Sequence, residues 1–222
     1  MFGFLFRKSI FDGWDHILGL FLANIGYLAL LASGALWWYL NGKEALELPL
    51  TILLIIVTIV MISFYTMGIA GYAANIIDGA QKGKALKGVI SVIKTHIRHV
   101  LFHAFITLVI VMNLLFALPF YMSIEGFLGP LMAFVGLFLA LFLLANFKYY
   151  LPLCLIRSRE NVVEIIKFSF AYALDNNGTT LVLLLRSAAD LLLSIPLAGI
   201  LPGFAGIILS DTCATAILNR RY

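Results

Sequence analysis

Residues 179–218 read TTLVLLLRSAADLLLSIPLAGILPGFAGIILSDTCATAIL, and how this stretch folds decides the architecture of the chain. Leu191 to Ser210 is long enough and apolar enough to be one membrane-spanning helix. Pro196, Gly199, Pro202 and Gly203 lie in the middle of it, however, where they break a helix rather than extend one. The better reading is a hairpin: one helix from about Thr179 to Ile195, a tight turn, and a second from about Gly203 to Leu218.

The rest of the chain has the same solvent. Of 222 residues, 63% are hydrophobic and 12% charged, the latter about half the share usual in a soluble domain. The apolar residues come in uninterrupted runs, which argues for lipid rather than a water-facing stripe. Four runs are long enough to cross a bilayer: Ile17 to Leu40, Leu48 to Ile77, His99 to Ile124 and Gly126 to Phe147. The first follows Arg7 and Lys8 but is too long for the apolar segment of a secretory signal, and its Trp37-Trp38-Tyr39 end reads as an interfacial anchor. Pro49 fits the first turn of the second run, where its missing N–H costs nothing, and Gly68, Gly71 and Ala74 have close-packing spacing. The expected fold is all-α: six short transmembrane helices in a single domain.

Charge placement supports six spans over five. With both termini cytoplasmic, the inner side holds Arg7, Lys8, Lys82, Lys84, Lys87, Lys94, Arg98, Lys148, Arg157, Arg159, Lys167, Arg220 and Arg221, thirteen of the fifteen basic residues. Lys43 falls outside and Arg186 within a span; five spans would move Arg220 and Arg221 outside. The inner segments also carry amphipathic stretches, at Phe4 to Trp14, Val89 to Val100 and Val162 to Leu174, each leading into an apolar helix. The pattern suggests three copies of an interfacial helix plus a hairpin, over residues 1–78, 79–156 and 157–222. Lys82, Lys84, Lys87, Lys94 and Arg98 are the expected lipid-headgroup contacts. The basic residues cluster between apolar runs, a pattern that does not point to nucleic acid.

The strongest functional pointer is ionisable side chains inside the last hairpin. Arg186, Asp190 and Asp211 would each cost roughly 2.5 to 3.5 kcal/mol alone at a helix centre, so they are expected to face protein. Arg186 can pair with Asp211 across the hairpin and with Asp190 one turn along; Asn24, at similar depth in the first span, can join them. One net negative charge is left over. Such a cluster is either a proton- or cation-coupled site or an ionic lock between two helices. His96, His99 and His103 share one side of a helix, a spacing compatible with metal ligation or headgroup contact, but no cysteine or paired carboxylate completes a metal set.

Asn177-Gly178-Thr179 matches a glycosylation sequon, but on the cytoplasmic side it reads as a turn and cap. Asn75, Asp78 and Asn146 read as caps or headgroup contacts at inner helix ends, and Cys154 and Cys213 as structural thiols near such ends. No phosphate loop, nucleophile elbow or zinc-protease motif is present, so no catalytic residue, cofactor or enzymatic activity is expected.

The Phe6 to Trp14 segment running into Asn24, the Gly68-Ile69-Ala70-Gly71 patch and Asn176-Asn177-Gly178-Thr179-Thr180 together resemble the YesL family of bacterial integral membrane proteins, over nearly the whole chain. That resemblance implies an accessory role in the cytoplasmic membrane near carbohydrate uptake, and no site residues. Two functions compete: an accessory or scaffold that meets lipids, a membrane-protein partner or a second copy, and a small transporter or channel using the Arg/Asp cluster.

Overall fold

The computed structural model describes residues 16–43, 47–77, 92–194 and 203–219. All regular structure among them is helical: α1 (Ile17–Gly42), α2 (Leu48–Ile77), α3 (Ile97–Met122), α4 (Leu128–Ile156), α5 (Val162–Asp175), α6 (Asn177–Ser194) and α7 (Gly203–Asn219). α1 to α4, of 26, 30, 26 and 29 residues, are long and apolar enough to cross a membrane, which makes this a multi-pass architecture. The Phe4 to Trp14 stretch, Arg7, Lys8, Asp78, Lys82, Lys84, Lys87, Pro196, Gly199, Pro202, Arg220 and Arg221 lie outside the described residues.

Polarity is distributed as a bilayer requires. Phe134 and Phe138 of α4 are 66% and 63% exposed, whereas Asn24, Thr51, Ser63 and Thr215 are completely buried. In water that arrangement would squander the hydrophobic effect; in lipid the apolar surface costs nothing and the polar groups find partners inside. Thr51, Thr58, Thr66, Ser210, Thr212 and Thr215 each hydrogen-bond a backbone carbonyl one turn back.

α7 is the hub, packing against α1, α2, α4 and α6. One apolar cluster joins Leu20, Ala23 and Tyr27 of α1 to Ile69, Tyr72 and Ala73 of α2 and Ala205, Leu209 and Cys213 of α7. A second joins Met67, Val100, Tyr149, Leu153, Ile165 and Leu218, from α2, α3, α4, α5 and α7. α1 and α2 approach closely because Gly19 and Gly26 leave room for the hydroxyls of Tyr72 and Tyr65. Tyr65 Oη then donates to the Ala23 carbonyl at 2.9 Å, and Tyr27 Oη to Thr66 Oγ1 at 3.0 Å. Gly71 of the small-residue patch packs on Val92.

The boundaries that bear on the site are those of α3 and α4. α3 begins two residues early, at Ile97, and contains a π-helical turn at Asn113–Ala117 just before Pro119. Pro119 lacks the N–H that would bond the Leu115 carbonyl, a common origin of such a turn. α4 starts at Leu128, after a connection in which Gly126 takes a φ of +89° open chiefly to glycine. Most consequential, α4 does not stop at Phe147 but continues through Pro152 to Ile156, burying Tyr149, Tyr150, Leu151, Leu153 and Cys154. Lys148 and Asn146 therefore lie inside a helix, not at its inner end, and Cys213 lies mid-α7.

α5 is the amphipathic helix expected over Val162 to Leu174. Asn161 caps it, its Oδ1 accepting from the Glu164 N–H at 2.9 Å, and Ile165, Ser169, Tyr172 and Ala173 form its buried stripe, against α4. Thr180 Oγ1 donates to the Ala173 and Asn176 carbonyls, 3.2 and 3.1 Å away; Asn176 alone makes the turn, and Asn177, Gly178 and Thr179, read from the sequence as a turn and cap, are already the first residues of α6.

Gly203 opens α7 with a φ of +56°, and a Cβ there would meet the Asn24 amide at 2.5 Å. Gly203→Ala is expected to cost about 1 to 3 kcal/mol through strain and overpacking. Gly34→Ala, whose added methyl meets only Thr58 at 3.5 Å, serves as the control. Thermal melting of the detergent-solubilised protein should show the first variant melting well below wild type and the second unchanged.

Candidate functional site

The extension of α4 carries Lys148 into the bundle. Lys148 lies eight residues before the end of α4, and Asp211 eight before the end of α7, each about 12 Å from the same face. The two side chains meet: Lys148 Nζ is 3.2 Å from Asp211 Oδ2 and also donates to Ser187 Oγ of α6, and Arg157 Nε donates to Asn219 Oδ1 at 3.3 Å where α4 and α7 end, so the two helices run in the same direction. Arg186 Nε lies 3.5 Å from Asp190 Oδ2, the pairing one turn along α6 that the spacing suggests. All four charged side chains are 11–15% exposed.

This changes the charge balance read from the sequence. Lys148, placed there on the inner surface, is the ion-pair partner of Asp211, the role expected of Arg186. Two cations now face two carboxylates, and the surplus negative charge disappears. Asp211 Oδ1 is buried with no hydrogen-bond partner among the described residues, and so is Asp190 Oδ2 apart from its longer contact with Arg186. Pro152 adds a second polar feature: it cannot donate to the Lys148 carbonyl one turn back, so that oxygen loses its helical bond beside the ion pair.

Asn24 does not join the charges. Its Oδ1 accepts the Ala205 N–H at 2.9 Å, so it caps the first turn of α7, six residues or about 9 Å from Asp211. Ser194 holds the same end by accepting the Gly203 N–H at 2.8 Å. Beside the ion pair lies a cavity of about 440 Å³, with walls from α1, α2, α3, α4, α6 and α7. Tyr27, Ile62, Phe147, Leu184 and Phe204 supply apolar wall; Lys148, Asp211, Ser187, Thr66 and His103 supply the polar groups.

The histidines diverge. His103 Nδ1 lies 3.1 Å from Ser63 Oγ at the cavity wall, and His99 Nδ1 lies 3.1 Å from the Tyr150 hydroxyl. His96 stands against His99, ring centroids 5.9 Å apart. Among the described residues no three His, Cys, Asp or Glu side chains are placed to hold a metal ion. Lys94 and Arg98 are exposed, and Cys154 and Cys213 are buried and form no disulfide. Asn146 donates from Nδ2 to the Phe142 carbonyl at 2.7 Å within α4.

Fold and site together define a multi-pass helical membrane protein with a charge pair and a cavity inside the bundle. Comparison of the chain with protein-family models, curated proteins and solved structures gives no match.

Removing one member of a buried ion pair strands the other, at about 3 to 5 kcal/mol, whereas replacing both by apolar residues of similar volume is close to neutral. Lys148→Met alone and Asp211→Leu alone should therefore sharply lower folded yield and melting temperature. The double variant K148M/D211L should recover both, read by size-exclusion profile and thermal melting.

Proposed function

We propose that this chain is a six-span protein of the bacterial cytoplasmic membrane, with both termini cytoplasmic, that binds a small solute beside the Lys148–Asp211 pair and carries it across the bilayer. The observation that carries this reading is the cavity, which draws its wall from six helices and reaches a buried charge pair. Its volume and largely apolar lining with a few convergent polar groups match a small-molecule site, typically about 300 to 1,000 Å³. Intramembrane charges are costly and generally mark solute or ion pathways. The lining suits a solute with an apolar body and a polar group able to meet Lys148, Ser187, Thr66 or His103. Binding and passage require no covalent step.

Six spans are supported by the length of α6 and α7, 18 and 17 residues, about 27 and 26 Å, against a hydrocarbon core of roughly 30 Å. With Lys148 inside the bundle, the positive-inside argument rests on twelve of the fifteen basic residues and keeps its direction. A threefold repeat draws support from order: α5 precedes the α6–α7 pair as the short helical segment 92–95 precedes α3 and α4.

A second reading, the accessory role implied by resemblance to the YesL family, is favoured by the broad apolar face of α4. Phe134, Val135, Phe138 and Leu141 are exposed there and can meet lipid, a membrane-protein partner or a second copy.

Uptake of a bacterial small-molecule extract into proteoliposomes, resolved by mass spectrometry, separates the two. A carrier should enrich at least one solute about tenfold, a difference of about 1.4 kcal/mol in differential binding or flux, with K148M/D211L inactive though folded. Identical profiles for wild type, K148M/D211L and empty vesicles would sink the carrier reading and leave the accessory one. A fluorescent protein fused after Tyr222 should mature and fluoresce, as it does only on the cytoplasmic side.

A further inference from the structure

A second cavity, of about 550 Å³, lies away from the ion pair, between the start of α3 and the connection from α4 to α5. Its wall includes His96, Arg98, His99, Ser158, Arg159 and Glu160. The two arginines are exposed at its rim, while the two histidines are more than nine-tenths buried. The His99 ring is engaged by the Tyr150 hydroxyl, 3.1 Å from Nδ1. His96 is different: it is 6% exposed, lines the cavity, and its ring makes no hydrogen bond among the described residues.

The first turn of α5 closes the same cavity through Asn161, Val162 and Val163. The Asn161 side chain satisfies the Glu164 N–H, which leaves the N–H groups of Val162 and Val163 without acceptors inside the helix. A helix N-terminus with free N–H groups favours an anion, and two arginines beside it favour one with several oxygens. Glu160 is the one carboxylate on the wall; it shares a hydrogen bond with Glu164 of α5, which raises its proton affinity and lowers that of Glu164, so the pair keeps a negative charge that the two arginines must outweigh. Next to the rim, Ile97, Leu101 and Val163 are 40%, 51% and 59% exposed, an apolar strip of the kind acyl chains cover.

We infer that this cavity binds a phosphate group, held by Arg98, Arg159, His96 and the first turn of α5. The phosphate comes on a lipid headgroup or free in solution, and both present the same oxygens.

Native mass spectrometry of the full chain in detergent, with dioleoylphosphatidylglycerol and dioleoylglycerol as matched probes, tests the first source. The phospholipid should be retained about tenfold over the diacylglycerol, and Arg98→Gln/Arg159→Gln should abolish that preference. Inorganic phosphate alone tests the second source: a phosphate-dependent rise in melting temperature in wild type, absent from the double variant, with no lipid preference, assigns free phosphate. Neither signal, or either signal undiminished in the variant, overturns the inference. Both arginines are exposed, so the variant should fold; Arg159→Gln alone, in the α4–α5 connection, gives the same comparison if it does not.

Discussion

The ion pair between Lys148 and Asp211 is the interaction that constrains how α4 and α7 can pack. Each charge would be costly alone in an interior of low dielectric, so α4 and α7 must hold the register that brings them together. Ser187 brings α6 to the same point, and Arg186 and Asp190 repeat the arrangement beyond it. Since α7 also touches α1 and α2, a shift of α7 by one residue would break the pair, the Asn24 cap and the Ser194 contact together. An apolar interface alone has no such preference, because lipid tails compete equally well for leucine.

The hub position of α7 explains its composition. Its central residues Ser210, Asp211, Thr212, Cys213, Ala214 and Thr215 are all buried, small or polar, and surrounded by protein rather than lipid. Hydropathy measures how well a helix suits lipid, so it rates highest the helices that face lipid most, such as α4, and undervalues the one in the centre. The same burial gives the polar side chains their purpose: Thr212 and Thr215 fold back on backbone carbonyls, which leaves the carboxylate of Asp211 as the residue that reaches outward.

The four long helices were legible because a bilayer demands unbroken apolar runs, and their expected limits mostly fall within two residues of those observed. The last hairpin was legible from Pro196 to Gly203 for the opposite reason, since those residues interrupt such a run. Lys148 was not. A lysine after a long apolar run, followed by Tyr149 and Tyr150, has the signature of a helix leaving the membrane, where lysine and tyrosine gather. Two signals pointed the other way: the apolar Leu151-Pro152-Leu153-Cys154-Leu155-Ile156 run that continues to Arg157, and the uncompensated negative charge left by pairing Arg186 with two aspartates. Asn24 was misplaced because depth along a helix says nothing of which neighbour a side chain turns toward.

A structural lock and a solute site make different demands on the same charges. A lock is best when every lone pair and proton is matched and no space is left, because each orphaned polar atom subtracts from what the pair contributes. Here Lys148 spends its ammonium on Asp211 Oδ2 and Ser187, while Asp211 Oδ1 is buried without a partner. The neighbouring space is a cavity of about 440 Å³. Apolar residues of similar volume in place of the charges would remove the orphan while leaving the cavity as it is. The arrangement is therefore costlier as a lock than a fully matched pair in a filled interior would be.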